Sequence, residues 1–433
     1  MAPNLAPTGL DLPINRGPSE VMHIDLNSAF AMSEQQARPH LRGTPVGITN
    51  RLHVAGTDRI AEWSICITSS YEAKRQGIVL GTSHRAARGI DPSFTMIESN
   101  PARYIHVHRK LKAIFESYSP AVQMKSIDEG IIDFRGMGKL LRGRSIIDIG
   151  HEIKQRVKDE VGDYMTINVG IGPNLWLAKV AASLHKPNGL DMITADNLID
   201  MYTALKLTDL PYIKRRNQVR LQLAGIHTPR EFLEAPYWVL FRQAFGSVMG
   251  HHWYLRLRGY ETDTITNPIR TAGRSYVLEH RTSNPQELLS LLHKAAFKVS
   301  RKLHTAGVDA RGLSLGLRTA ERNEYGQRYR RWHSSHIWRT GAQREDELYG
   351  RTKALFERRP QDEEITGIDL TAYGLQTATT AQPTLFEDSY SRRARAQDAI
   401  NSINDRFGEM TIAPAHATAS KNPMKDKLPF HST

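Results

Sequence analysis

Two short apolar segments about a hundred residues apart each run into carboxylates, and together they limit the possible folds more than any other feature. Val21-Met22-His23-Ile24 leads into Asp25, and Ser126-Ile127 leads into Asp128-Glu129. Adjacent Asp and Glu on one strand, with a remote Asp on another, make a compact cage of hard oxygens when the strands lie together. Mg²⁺ keeps several waters and shares its coordination between carboxylates and substrate phosphates, so such a cage suits it. Two such ions about 4 Å apart can activate an attacking oxygen and stabilise a leaving one. The plain alternative is an Asp-Glu pair that caps a turn, and the rest of the chain decides between the two.

The surrounding pattern alternates strands with helices. Ala29 to Gln36 reads as a helix, and Pro39, Gly43 and Pro45 break the next stretch. Ile65-Cys66-Ile67 resumes a strand that ends in Thr68-Ser69-Ser70-Tyr71-Glu72-Ala73-Lys74. Val107, Leu111, Ile114, Phe115 and Tyr118 recur at helical spacing, and Pro120 closes that helix before the strand carrying Asp128 and Glu129. A second stripe runs through Ile149, Ile153 and Val157; Thr166 to Gly172 is then a strand and turn leading into a helix from Asn174 to Leu184. Acids on separate strands among alternating helices predict an α/β domain with helices packed on a sheet. Short helices dominate after Leu190, and a polar connector runs from Glu261 to Pro268. Beyond it Asn284, Pro285 and Glu287 open a helix as cap, first and third positions, with Leu288, Leu292, Ala295, Val299 and Leu303 as its buried stripe. Leu313, Leu315 and Leu317 alternate as a half-buried strand should. Gln376 to Gln382 is rich in Thr and Ala and reads as a linker.

At 433 residues the chain exceeds one ordinary core, so more than one domain is expected. Lys and Arg outnumber Asp and Glu 58 to 45, a formal charge of +13. Between Arg270 and Arg358 the count is 18 basic to 9 acidic residues, the strongest local candidate for a surface that tracks phosphates. Cys66 is the sole cysteine, which excludes an intramolecular disulfide and a cysteine zinc cage. No stretch approaches the roughly 18 apolar residues of a membrane span. Residues 1–19, rich in Pro and Asn, read as a loose extension without the basic-then-apolar pattern of a signal peptide. A soluble protein of a reducing compartment with nucleic acid as leading partner is the expectation.

Four blocks in this order carry a resemblance to a known family: His23-Ile24-Asp25-Leu26-Asn27-Ser28-Ala29-Phe30; Ser70-Tyr71-Glu72-Ala73-Lys74; Ser126-Ile127-Asp128-Glu129; and Leu177-Ala178-Lys179 with Lys186-Pro187-Asn188-Gly189. From about Val21 to Ala415 the chain resembles Y-family translesion DNA polymerases of the DinB/UmuC type, in bacterial form. That resemblance implies a right-hand polymerase with an α/β palm (20–28 and 100–193), small fingers (29–99), a helical thumb (194–262), a linker (263–270), a C-terminal α/β little finger (271–375) and a tail (376–433). It implies template-directed, low-fidelity synthesis in DNA repair and damage tolerance, with primer–template DNA and dNTPs as partners. A monomer in the cytoplasm, associated with the nucleoid and not with a membrane, goes with that expectation.

The same resemblance assigns roles residue by residue. Asp25, Asp128 and Glu129 would be the catalytic acids, with Asp25 and Asp128 bridging two Mg²⁺ ions. The Leu26 carbonyl would complete the triphosphate-side metal, and Glu129 would hold the one beside the primer 3′-hydroxyl. Tyr71, Lys74 and Lys186 would hold the triphosphate. Phe30 would be a steric gate beneath the sugar, excluding a 2′-hydroxyl. Arg274, Arg311, Arg318, Arg330 and Arg331 are the candidate contacts to DNA backbones, which set position and carry no sequence information. Gln382-Pro383-Thr384-Leu385-Phe386 looks like a sliding-clamp peptide, with Gln382 as anchor and Leu385 and Phe386 for an apolar pocket.

The chain also departs from the pattern. Asn27 replaces a frequent second Asp, Ala29 stands where a second aromatic is common, and Lys74 replaces an arginine, giving a point charge in place of a bidentate fork. The Thr49–Ser64 loop is longer than usual. Leu210-Pro211-Tyr212-Ile213-Lys214 occupies the thumb hairpin without its usual Gly-x-Gly, although Lys214, Arg215 and Arg216 supply charge there. These departures leave a second expectation, a catalytically silent relative that binds the clamp as an adaptor in a mutasome. Retention of three acids argues against it, since an adaptor has no need of a metal cage.

Overall fold

The computed structural model describes residues 11–50, 52–53, 61–138, 141, 143–263, 269–323, 326–360, 363–377, 389–408 and 411–413. They fall into two compact units, divided between residues 266 and 267.

In the first unit the strands are β1 (Val21–Leu26), β2 (Val46–Thr49), β3 (Thr68–Ser69), β4 (Thr95–Glu98), β5 (Val122–Met124), β6 (Glu129–Asp133), β7 (Ile167–Gly172) and β8 (Leu190–Met192). Five of them form a sheet in the order β5-β6-β1-β7-β8, so β1 lies between β6 and β7 and pairs antiparallel with both. A strand covered on both faces must be apolar along most of its length, and β1 and β7 are buried almost throughout. One face, through Met22, Ile24, Val169 and Ile171, packs with Leu111, Ile114 and Phe115 of the helix Pro101–Glu116 and Ile149 and Ile153 of the helix Ile146–Arg156. The helix Leu175–Leu184 covers the other face, close against β7. Gly170 makes that approach possible, because a Cβ there would fall 2.0 Å from the Ala182 backbone nitrogen. The three-stranded sheet β3-β2-β4 lies within residues 29–99, the segment expected to form the fingers.

Residues 194–257 are mainly short helices around a core of Trp176, Tyr202, Phe232 and Trp253, with Trp176 and Trp253 edge-on at 5.4 Å. The expectation of a loose extension does not hold over residues 11–19, the part of it that is described. Leu12 and Ile14 pack on the helical core, and the Arg258 guanidinium donates to the Leu12 carbonyl at 3.1 Å. Asn15 donates to the Gly259 carbonyl at 2.9 Å and Ser19 to the Ile193 carbonyl at 2.6 Å. A Pro- and Asn-rich composition concealed an apolar pair two residues apart. The connector is also partly tied down, for the Glu261 carboxylate accepts from Arg135 and from the Leu175 backbone N–H.

The second unit is an antiparallel sheet of β9 (Thr271–Thr282), β10 (Val308–Asn323), β11 (Gly326–Ala342) and β12 (Ile365–Thr377), ordered β11-β10-β12-β9. Its two helices, Pro285–Thr305 and Glu345–Phe356, bury one face against Leu313, Leu315 and Leu317. The expected cap is present: the Asn284 side chain accepts from the N–H groups of Gln286 and Glu287. A further helix, Ser389–Phe407, follows the linker and is tied to the helix Pro285–Thr305 by the Arg301–Asp405 ion pair. No described helix is long and apolar enough to cross a membrane.

Candidate active site

The antiparallel register of β1 and β6 places Asp25 directly opposite Glu129, and that of β1 and β7 places it opposite Asn168. Side chains alternate across a strand, so His23 and Asp25 share the face over which the helix Leu175–Leu184 lies. Asp128 differs from expectation. It sits in the tight turn between β5 and β6, and only Glu129 belongs to the strand. Ser126 builds that turn: its hydroxyl accepts from the Glu129 N–H at 3.1 Å and donates to the Asp128 carboxylate. The Ile127 carbonyl is held at 3.1 Å by buried His108, and the Asp128 carbonyl accepts from the Leu26 N–H at 2.8 Å. The turn and the carboxylate cluster thus coexist, because the turn is what brings Asp128 beside the end of β1.

Two lysines complete the cluster. Lys179, one turn into the covering helix, donates to Glu129 at 2.6 Å, and Lys186 donates to Asp25 at 2.8 Å. Lys186 is expected near the triphosphate, whereas Lys179, although it closes the block Leu177-Ala178-Lys179, has no role assigned by the sequence. Among the described residues no three His, Cys, Asp or Glu side chains converge closely enough to hold an ion as they stand. The donor set nevertheless suits a hard divalent cation. Three carboxylates on neighbouring chain segments are offset by ammonium groups, which a cation could displace at no change in charge sign.

The electrostatics agree. Burial, with help from Asp25 and Glu129 and against the Ser126 hydrogen bond, pushes the Asp128 carboxyl above the usual range. Burial alone would lower the Lys179 ammonium, but Glu129 beside it outweighs that and carries it upward. Burial and then the charges of Lys179, Lys186 and Lys125 hold His23, 3.6 Å from Glu129, far below its ordinary value. His23 is therefore neutral at pH 7.

Around the acids the nucleotide-binding candidates converge in part. Ser70 caps the helix Tyr71–Arg75 and so aims Tyr71 and Lys74 at the end of β1. The Tyr71 hydroxyl donates to the Asn27 side-chain carbonyl at 2.9 Å, and burial followed by Asp25 pushes that phenol up to about 12. Lys74 donates to the Ser28 hydroxyl at 2.8 Å and is lowered chiefly by burial. Asn27 is a hub: its carbonyl also accepts from Asn168, and its amide donates to Thr166 at 2.9 Å. An Asp would lack that donor, which gives the departure from the family pattern a structural reason. Phe30 is buried and stacked on Tyr104 at 4.4 Å.

The basic candidates of the second unit do not share one face. Arg318 and Arg331 are cross-strand neighbours on the face away from the helices, beside Ser314, His333 and Asp369. Arg318 is braced by Asp369 at 3.3 Å and by the Tyr276 carbonyl. Arg274 pairs with buried Leu370 and alternates in step with Ala272 and Tyr276, which puts it on the helix-covered side. Arg311 is exposed at a bulge in the pairing of β10 with β11 and donates to the Trp338 carbonyl. Arg330 pairs with Thr319 in the sheet. Gln382, Leu385 and Phe386 lie outside the described residues.

Comparison with known proteins matches the same two regions. Residues 24–183 match the impB/mucB/samB family and residues 269–385 the C-terminal domain of that family. A protein named DNA polymerase IV from Moorella thermoacetica is 29% identical over 398 residues, covering 90% of this chain and 94% of its own. Its namesake from Pelotomaculum thermopropionicum is 27% identical over 419 residues, covering 94% and 97%. Among solved structures a Y-family DNA polymerase chimera superposes with a TM-score of 0.68 at 21% identity, over 82% of this chain and 98% of that one.

Proposed function

The chain belongs to the impB/mucB/samB family, and from that premise we propose that it is a template-directed Y-family DNA polymerase that performs translesion synthesis. The observation that carries the reading is that Asp25 lies opposite Glu129 at the ends of β1 and β6, with Asp128 in the adjoining turn and with Lys179 and Lys186 paired to Glu129 and Asp25. Two Mg²⁺ ions held by Asp25, Asp128, Glu129 and the Leu26 carbonyl would activate the primer 3′-hydroxyl and neutralise charge on the leaving pyrophosphate.

The protein's own groups do the rest by position. Tyr71 and Lys74 reach the end of β1 from one side and Lys186 from the other, so a triphosphate beside Asp25 would be held by a hydroxyl and two ammonium groups. Released from Asp25, Lys186 would pair with phosphate oxygens, which carry the same negative sign as the carboxylate it leaves. Neutral His23 stands behind Glu129, where it adds no positive charge to compete with a cation. Phe30 would serve as the gate against ribonucleotides. Residues 271–375 would act as the little finger, with Arg331 tracking the backbone. Primer extension with Mg²⁺ and four dNTPs on an undamaged primer–template tests the reading. Metal-dependent extension is expected, and none, with DNA binding intact and the clamp supplied, would favour the adaptor.

Arg331→Ala is expected to weaken DNA binding about equally for all sequences and to lower the salt slope by about one. A sequence-dependent loss in anisotropy titrations would contradict a backbone role. We place the clamp peptide at Gln382, Leu385 and Phe386 on sequence alone. Replacing Leu385 and Phe386 together by Ala should abolish stimulation by the sliding clamp while basal extension stays unchanged. Persisting stimulation would locate the contact elsewhere. The monomer is tested by sedimentation of the full chain.

A further inference from the structure

Glu34 is a fully buried carboxylate one helical turn from Phe30. The helix Ala29–Ala37 carries both side chains, four residues apart and hence on one face. Two adjacent residues of the helix Pro101–Glu116, Arg103 and Tyr104, meet that pair. Tyr104 stacks on Phe30 with ring centroids 4.4 Å apart and planes 17° from parallel, and Arg103 forms an ion pair with Glu34. Arg38, at the end of Glu34's own helix, pairs with the same carboxylate oxygen. The other Glu34 oxygen and the Tyr104 hydroxyl are buried, and neither has a formed hydrogen bond among the described residues. They are complementary, an acceptor and a donor. Burial first raises the Tyr104 phenol, and the Glu34 charge adds to it against a backbone hydrogen bond at Asn100.

A carboxylate in such a place is costly. Residues 29–35 of the helix are all buried, so the loss of hydration has to be offset by the two arginines, and apolar side chains of similar volume would hold the fold as well. What an ion pair adds over apolar packing is direction. It fixes how far one helix is rotated and advanced along the other, where an apolar contact could slide. That precision falls on one ring. The helix is started by β1 through the turn at Ser28, whose φ is +42°, and its next fixed point is the bridge from Glu34 to Arg103. Phe30 stands between the two and rests on Tyr104, the residue beside Arg103.

We propose that Glu34 is a positioning residue for sugar selection. Through Arg103 it locks the two helices in register, so that Tyr104 backs the Phe30 ring and holds its face where a 2′-hydroxyl collides. The inference rests on the reading of Phe30 as the gate. Glu34 itself, wholly buried, acts only through these partners.

The test is single-nucleotide incorporation by the full chain on primer–template with Mg²⁺, comparing a ribonucleotide with the matching deoxynucleotide. Glu34→Gln keeps the shape and removes the charge, whereas Arg103→Met keeps the stem and removes the fork. Each should raise ribonucleotide incorporation relative to deoxynucleotide by about tenfold, chiefly as a lower KM for the ribonucleotide. The double variant should exceed either single by under about twofold, because both changes remove the same bridge. Arg38→Met also strips Glu34 of a countercharge and should lower the melting temperature. It bridges no two helices, however, so its sugar discrimination should stay within about twofold of wild type.

Discrimination that relaxes in step with the melting temperature, Arg38→Met included, would make Glu34 a strut and overturn the proposal. Unchanged discrimination in either bridge variant, beside a relaxed Phe30→Ala, would leave the gate standing without this brace. Arg103 is 28% exposed, so its variant decides the matter even where the Gln variant fails to fold. If Phe30→Ala is as selective as wild type, the gate reading fails and the positioning role falls with it. A chain that incorporates neither nucleotide rejects the polymerase reading and this role together.

Discussion

Asp128→Asn is expected to abolish primer extension while leaving both the fold and DNA binding in place. Loss of one cation-holding carboxylate removes about 4 kcal/mol of charge stabilisation in the transition state, roughly a thousandfold in rate. Stability should move the other way. The Asp128 carboxyl is raised in the folded protein, by burial first and by Asp25 and Glu129 next. A raised folded value favours the fold only below the ordinary carboxylate range, and that contribution vanishes as pH rises through the folded value. At neutral pH the ionised group is a net cost that asparagine removes, while its side-chain oxygen still accepts from Ser126. The melting temperature near pH 7 should therefore hold or rise slightly. Glu129→Gln should be equally inactive but less stable, because it leaves the largely buried Lys179 ammonium without its countercharge. A fall in melting temperature and DNA affinity for Asp128→Asn would show that the carboxylate is structural.

Phe30→Ala is expected to let ribonucleotides in, raising their incorporation relative to deoxynucleotides by about two orders of magnitude. The same change removes a buried ring stacked on Tyr104, at a cost of about 3–5 kcal/mol of stability. Phe30→Leu separates the two effects, since it keeps most of the packing but not the flat wall. Single-nucleotide incorporation kinetics with paired dNTP and rNTP, alongside thermal melts, decide the matter. Unchanged sugar discrimination in both variants would reduce Phe30 to a core residue behind the sheet.

Much of this site was legible in the chain because the signals are local. A strand that runs into Asp25 and the capped helix at Asn284 depend on neighbours a few residues away, whereas Tyr71 and Lys74, expected at a strand end, lie in a helix capped by Ser70. Other features depended on partners far off in sequence. The local pattern places Asp128 on a strand, yet Ser126 folds it into a turn. The composition of residues 11–19 suggests a loose segment because nothing nearby in sequence shows the partners Tyr254, Arg258 and Ile193. Arg274 and Arg331 look alike as exposed basic residues, and only strand register assigns them to opposite faces.

By itself the sequence determined which chemical groups are available and which short elements carry them: three acids, a hydroxyl, three lysines, and the strands and helices whose apolar periodicity is local. The tertiary structure alone decided which of those groups meet. Lys179 reaches Glu129 because Gly170 admits a helix close to β7, and Lys186 reaches Asp25 across 161 residues of chain. Tyr212 stands beside them because one helix braces both its turn and the acid cluster. Ion pairs of this kind are weak and directional, so register and close packing must be fixed before they can form.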